Sequence, residues 1–420
     1  LGKARYVGAR YGALGLPLAF ASLPLYVHVP AFYATQTGLG LGHIGAILLA
    51  VRLMDMVADP LIGSFSDRFQ NRRRAIQWGA VPVFALGFAA LFQPPVTVPP
   101  ALWLAGTLIL VYAGYSAIAV NYYALGVGMA DRAGGHTRLA LWREGAMLLG
   151  VVLASLLPSL LTGDGTATAA YTAYGMIFAC LLPLAALITL TLPFPESPVA
   201  SQRVFPFSVL RLVPVRWALA VTFFNALPAA ITSTLFVFFV TDVLEAPSHA
   251  GGLLALYFLS AVAGIPLWSR LGARLGLAGS ILAAMLFAIV VFFWAWRLGP
   301  GDLAQFYLIC FLSGLSLGAD TVLLPALFAG LLDDTRGEAG AAFGWWHFLN
   351  KASLALAAGI MLPLLAFGGY APDVPVEAGT LALLSAAYAL APCVCKAIAA
   401  ALLYFGPLYR PIHLKRSHAP

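Results

Sequence analysis

Residues 51–74 read VRLMDMVADPLIGSFSDRFQNRRR, an apolar stretch that carries Arg52, Asp55 and Asp59 in its interior and ends in a burst of arginines. An ionisable side chain held in hydrocarbon costs about 2.5 kcal/mol or more on insertion scales. Each of these groups therefore needs a partner or a cavity. Asp55 and Asp59 are four residues apart, which on a helix stacks two carboxylates on one face. Like charges that close repel and invite a cation or a proton between them. Pro60 lacks an N–H and so frees the carbonyl of Met56 as a further oxygen. Carboxylate and carbonyl oxygens suit a hard cation such as Na⁺, or a bound H⁺. The plainer reading pairs Arg52 with Asp55 as a brace, and it leaves Asp59 unaccounted for.

The surrounding chain explains why such a stretch lies in oil. Of its 420 residues 61% are hydrophobic and 9% charged, with a mean hydropathy of +0.91, which excludes a soluble globular protein. Apolar runs repeatedly reach the roughly 20 residues that cross a bilayer. Spans are predicted near 11–33, 42–65, 76–94, 101–127, 139–162, 169–193, 217–241, 248–270, 278–298, 303–330, 339–368 and 380–406, which makes twelve. The first has no signal-peptide cleavage pattern and is expected to stay in the mature protein. Cys180, Cys310, Cys393 and Cys395 all fall in spans and read as small apolar packers.

With twelve spans both termini share a side. That side takes Lys3, Arg5, Arg10, the Arg68–Arg74 cluster, Arg132, Arg138 and the basic tail, whereas the opposite side has Arg297 and the acids Asp164, Asp242, Glu245, Asp302, Asp373 and Glu377. The positive-inside rule places the termini in the cytoplasm, and the net charge of +7 needs no nucleic acid to explain it. The break at 193–216, PFPESPVASQRVFPFSVLRLVPVR, divides the chain. The expected organisation is a six-helix bundle at 1–193, a cytoplasmic linker at 194–216, a second six-helix bundle at 217–406 and a tail at 407–420. GSFSDRFQNRRR after the second span and PLWSRLGARLG after the eighth echo each other. An all-α integral membrane protein of two six-helix bundles with a midplane site is the architecture of secondary transporters.

Further ionisable residues lie in spans: Arg143, Glu144, Asp320, Lys351 and Lys396. Arg143 and Lys351 come from opposite halves and either meet an anionic substrate group or answer the Asp55/Asp59 pair, unless Glu144 and Asp320 neutralise them as packing pairs. Lys396 either snorkels or sits against another helix. Tyr26, Tyr122, Tyr123, Trp345 and Trp346 are cavity-lining candidates, or interfacial anchors. His28 and His347 read as hydrogen-bonded bundle histidines rather than proton relays. No His-Glu-x-x-His and no Asp dyad on two separate spans points to an enzyme, and no cofactor beyond the coupling ion is expected.

These motifs resemble a known family. GSFSDRFQNRRR is similar to the major facilitator superfamily signature Gly-x-x-x-Asp-Arg, with Gly63, Asp67 and Arg68 in place. RLMDMVADPLIG resembles the second helix of the glycoside–pentoside–hexuronide:cation symporters. YGALGLPLAF, YSAIAVNYYALG, WREG, FFNALPAAITS and NKASLALAAG resemble the family's first, fourth, fifth, seventh and eleventh helices. The resemblance implies a major facilitator fold and alternating access. It assigns the coupling cation, Na⁺ or H⁺, to Asp55 and Asp59 with Ser116 as a hydroxyl ligand. Substrate contacts fall on Arg143, Lys351, Tyr123, Tyr26, Asn225 and Trp346, and gating on Gly63, Asp67, Arg68 and Arg52. Two acidic positions that grip a galactoside in the family are Ala19 and Ala119 here. The expected substrate is therefore a small organic solute other than a galactoside. The alternatives are an amphiphile such as a lysophospholipid or fatty-acid-like anion, or proton-driven export. A monomer in a bacterial cytoplasmic membrane is expected on the resemblance alone.

Overall fold

The computed structural model describes residues 2–39, 41–69, 72–133, 135–162, 167–192, 207–332, 338–370 and 377–409. Among them the chain forms twelve α-helices and no strand: α1 (Gly2–Gly12), α2 (Gly15–Thr37), α3 (Leu41–Arg68), α4 (Arg73–Leu91), α5 (Pro100–Ala133), α6 (His136–Thr162), α7 (Ala167–Leu190), α8 (Val213–Phe238), α9 (Ala250–Phe293), α10 (Leu303–Leu331), α11 (Ala339–Phe367) and α12 (Ala378–Phe405).

Twelve helices and twelve expected spans do not correspond one to one. The first crossing is α2, which starts at Gly15 rather than near residue 11. Tyr11 belongs to the short basic helix α1, which packs on α5 and α6. Conversely, the 44 residues of α9 hold two crossings. A straight helix of that length would reach about 66 Å, twice the roughly 30 Å hydrocarbon core. The break is Gly276, whose φ of 75° and ψ of 165° lie outside the helical region and are open to glycine at little cost.

The chain divides into two compact units, Leu1–Val209 with Ala329–Phe348, and Leu210–Phe328 with Leu349–Pro420. In the first, α4 lies along α5 and α7, α2 along α6, and α3 along α5. Its core is aromatic. Phe88 sits 4.2 Å from Phe178 and Phe84 4.9 Å from Phe178, measured between ring centroids, and Phe92 stacks on Tyr171 at 5.5 Å. In the second unit α12 runs along α8 and α9, and Phe239 stacks on Tyr388 at 4.1 Å. The first ten residues of α11, Ala339–Phe348, count with the first unit, where they cross α3.

α3 shows why an ionisable stripe survives in such a helix. Met54, Val57, Leu61 and Phe65 face outward at 50–57% exposure, whereas Asp55, Asp59, Gly63 and Asp67 follow a four-residue period on the buried face. The helix is amphipathic with its polar stripe inward, the arrangement a membrane-crossing helix needs to keep its charges off lipid.

Candidate cation and substrate site

In the first unit the inward stripe of α3 meets α5 and the start of α11. Asp55 is 3% exposed and Asp59 fully buried. Ser116 Oγ on α5 donates to Asp55 Oδ1 at 2.7 Å, so the hydroxyl that the family pattern pointed to stands beside the carboxylate. Two buried carboxylates one turn apart, with a hydroxyl oxygen at hand, make a donor set of hard oxygens that fits an alkali cation or a proton. Arg52, on the same helix, is half-buried.

About two turns further along α5, that helix and α6 build a second feature. The Arg143 guanidinium lies 3.8 Å from the centroid of the Tyr123 ring, within cation–π range, and its Nε donates to Glu144 Oε1 at 2.9 Å. Glu144 is thus the packing partner of Arg143. Arg143 Nη2 makes no hydrogen bond among the described residues. A buried donor of this kind is costly unless something satisfies it. Tyr123 in turn meets Phe343 at 5.3 Å and the edge of His347 at 5.0 Å, both on α11. Trp346 is buried one residue before His347 and 6.3 Å from Phe343.

Other expected positions lie elsewhere. Tyr122 is no cavity lining: it is fully buried, stacks on Tyr11 at 4.5 Å and donates its hydroxyl to the Tyr11 carbonyl. The side chains of Tyr26 and His28 lie outside the described residues. Lys351, half-buried, and Asn225, buried on α8, belong to the second unit. There Asp320 pairs with Lys396 at 2.5 Å, so Lys396 neither snorkels nor leaves Asp320 for Lys351 alone.

The stretch from Gly63 to Asp67 packs on the start of α11. Asp67 Oδ1 and Oδ2 accept the backbone N–H groups of Gly340 and Ala341 at 2.8 and 2.6 Å, which are among the donors that an α-helix leaves unpaired in its first turn. Glycine makes the approach possible: a Cβ on Gly63 would lie 2.1 Å from the Gly340 carbonyl oxygen. Asp67 also takes an ion pair from Arg73, whose Nε donates to Ser66 Oγ at 2.9 Å. Ser66 donates in turn to Asn121 on α5. Arg73 was not singled out in the sequence. Arg68, which was, is exposed, with its guanidinium 5.7 Å from the Phe69 ring.

Asp67 lies past the membrane-crossing stretch 42–65. Burial pushes its carboxyl up from 3.8 to about 6, against the pull of Arg73 and the two backbone donors. Because the folded-state value is the higher one, the folded protein binds the extra proton as pH falls through about 6, and this group's contribution to stability is lost as pH rises through it. The melting temperature of the protein, minus that of Asp67→Asn, is expected to rise as the buffer is taken from pH 7 to 4.5. A flat difference would place Asp67 in a solvated setting.

Membrane-crossing helices with carboxylates, a guanidinium and aromatic rings turned inward define a polytopic solute carrier. The family described as MFS/sugar transport protein matches residues 10–410, and the chain belongs to it, as a major facilitator secondary transporter of the glycoside–pentoside–hexuronide:cation symporter type rather than an enzyme. It is 23% identical over 435 residues to the inner membrane symporter YicJ of Escherichia coli, covering 94% of this chain and 89% of that one. It is 23% identical over 398 residues to the mouse sphingosine-1-phosphate transporter MFSD2B, covering 86% and 80%. Its fold matches that of a bacterial homologue of the iron transporter ferroportin in an outward-facing state, with a TM-score of 0.71, 15% identity, and coverage of 94% of this chain and 99% of that one.

Proposed function

We propose that the protein is a cation-coupled symporter that works by alternating access, with Na⁺ or H⁺ bound at Asp55 and Asp59. The observation that carries this reading is the pair of buried carboxylates one helical turn apart, one of them hydrogen-bonded by Ser116. Neutralising two such charges lowers the cost of moving them through a closed, low-dielectric state. Cation and substrate then favour the same conformational change, and each raises the affinity for the other. The likeness to a symporter, YicJ, supports the same mechanism.

Arg143, held face-on against Tyr123 with Nη2 to spare, is the substrate contact of the first unit. Ala19 and Ala119 are buried where family members carry acids, which favours a small organic solute over a galactoside. A cationic donor beside apolar rings also suits an amphiphilic anion, and the similarity to a sphingosine-1-phosphate transporter supports that second reading. The basic residues on the terminal side favour cytoplasmic termini, and the similarity to an inner membrane protein favours the bacterial cytoplasmic membrane. The chain acts as a monomer made of the bundles 1–193 and 217–406, with the linker 194–216 and the tail 407–420 in the cytoplasm.

Proteoliposome uptake tests the proposal. A panel of neutral glycosides, organic anions and a lysophospholipid is offered with an inward Na⁺ gradient, an inward H⁺ gradient, or neither. At least one solute is expected to concentrate only under one gradient, and Arg143→Gln is expected to weaken its half-saturation at least about tenfold, the worth of a charge-assisted hydrogen bond. Equal uptake with and without gradients would reduce the protein to a passive carrier.

A further inference from the structure

The second unit holds a cavity of about 240 Å³ between α8, α9, α10 and α12. Helical spacing builds it: Asn225, Ala229, Thr232 and Phe236 share one face of α8, and Cys310, Ser313, Leu317 and Asp320 share one face of α10. Several polar groups on its wall are satisfied within their own helices. Thr232 donates to the Pro228 carbonyl, Ser233 to that of Ala230 and Ser313 to that of Cys310.

Three atoms are not. Asn225 Oδ1, Ser316 Oγ and Asp320 Oδ1 line the same cavity, are buried, and have no hydrogen-bond partner among the described residues. Asn225 and Ser316 are only 6% and 2% exposed. An orphaned buried polar atom costs about 1–3 kcal/mol, and three in one small space point to a ligand that satisfies them. All three can accept hydrogen bonds, and the Ser316 hydroxyl can donate one as well, so the ligand brings O–H or N–H donors. Asp320 already shares its charge with Lys396 through Oδ2, so the polar end as a whole is neutral and selects a neutral head.

The opposite end is apolar. Phe236 faces Phe306 at 6.4 Å, and Phe306 faces Tyr388 at 6.2 Å, which sets Phe236 and Tyr388 at one level. Lys396 lies eight residues along α12 from Tyr388, and Asn225 eleven residues along α8 from Phe236. At the helical rise these steps separate the two ends by about 12–16 Å. Phe258 and Phe292 complete the apolar wall.

We propose that this cavity is a binding site for a neutral amphiphile: an apolar alkyl or aryl body with two or more O–H or N–H donors at one end, held by Asn225, Ser316 and Asp320. The site goes beyond the transport reading and needs neither Asp55 nor Asp59.

The test uses the full chain in lipid nanodiscs and isothermal titration with 3-phenoxypropane-1,2-diol, a vicinal diol on an aryl body. Controls are phenetole, which keeps the ring without donors, and phenoxyacetate, which is anionic. The diol is expected to bind at least tenfold more tightly than either control. Ser316→Ala and Asn225→Leu are each expected to weaken it about tenfold, and Ala288→Phe to abolish it by filling the space. Phenetole binding as tightly as the diol would mean a dry apolar void, and preference for phenoxyacetate would mean that Lys396 selects anions. Either result overturns the proposal, as does a diol affinity unchanged in Ser316→Ala, or no diol binding at all. Because the cation response is read separately on Asp59, its loss with diol binding intact would count against coupling and not against this site.

Discussion

Asp67→Ala is expected to destabilise the protein by about 3–5 kcal/mol, the usual cost of removing one partner from a buried ion pair. The carboxylate is fully buried and joins three groups at once: the Arg73 guanidinium and the N–H groups of Gly340 and Ala341. Deleting it leaves a nearly buried arginine uncompensated and returns two first-turn donors of α11 to the unpaired state. Thermal unfolding in detergent checks this. The double variant Asp67→Leu/Arg73→Leu is expected to be less damaged than the sum of the single changes, because the two groups are coupled. Strict additivity would mean that Asp67 and Arg73 act independently.

The second large effect is functional. Asp59→Asn keeps the size of the side chain, turns one acceptor oxygen into an N–H donor and removes the charge, so a cation entering beside Asp55 meets one carboxylate instead of two. Concentrative uptake under the driving gradient is expected to fall on the order of 100-fold, the upper range of a coupling free energy, while exchange of solute across the membrane without a gradient persists. Solute exchange lost together with coupling would instead indicate that Asp59 holds the fold. Ser116→Ala, which removes one neutral hydrogen bond to Asp55, should give a smaller loss in the same direction.

Periodicity and charge cost made much of this readable. The four-residue spacing of Asp55, Asp59, Gly63 and Asp67 predicts one inward stripe on α3, and burial follows it. Run length predicts the crossings, including the pair that Gly276 divides within α9. What the sequence conceals is partner choice between helices. Asp320 and Lys396 are 76 residues apart, on α10 and α12, and no spacing rule joins them. Arg73 and Arg68 are equally basic neighbours of Asp67. Arg73, at the start of α4, pairs with Asp67, whereas Arg68, at the end of α3, is exposed. Tyr122 and Tyr123 are adjacent, so on a helix they take different faces. One seals the core against Tyr11 and the other carries Arg143. The orphaned atoms around Asn225 and Ser316 had no sequence signal beyond small polar residues on apolar helices.

The proposed transport cycle depends on cation binding at Asp55 and Asp59. Melting curves of the purified protein and of Asp59→Asn, taken with Na⁺, Li⁺ or K⁺ at fixed pH and then across a pH series at fixed salt, test it most directly. A ligand that binds only the folded state must raise the melting temperature. A rise specific to Na⁺, or one that tracks proton uptake, is expected and is lost in Asp59→Asn. Curves of the two proteins that respond identically to every cation and every pH would contradict it and leave the carboxylate pair a structural brace.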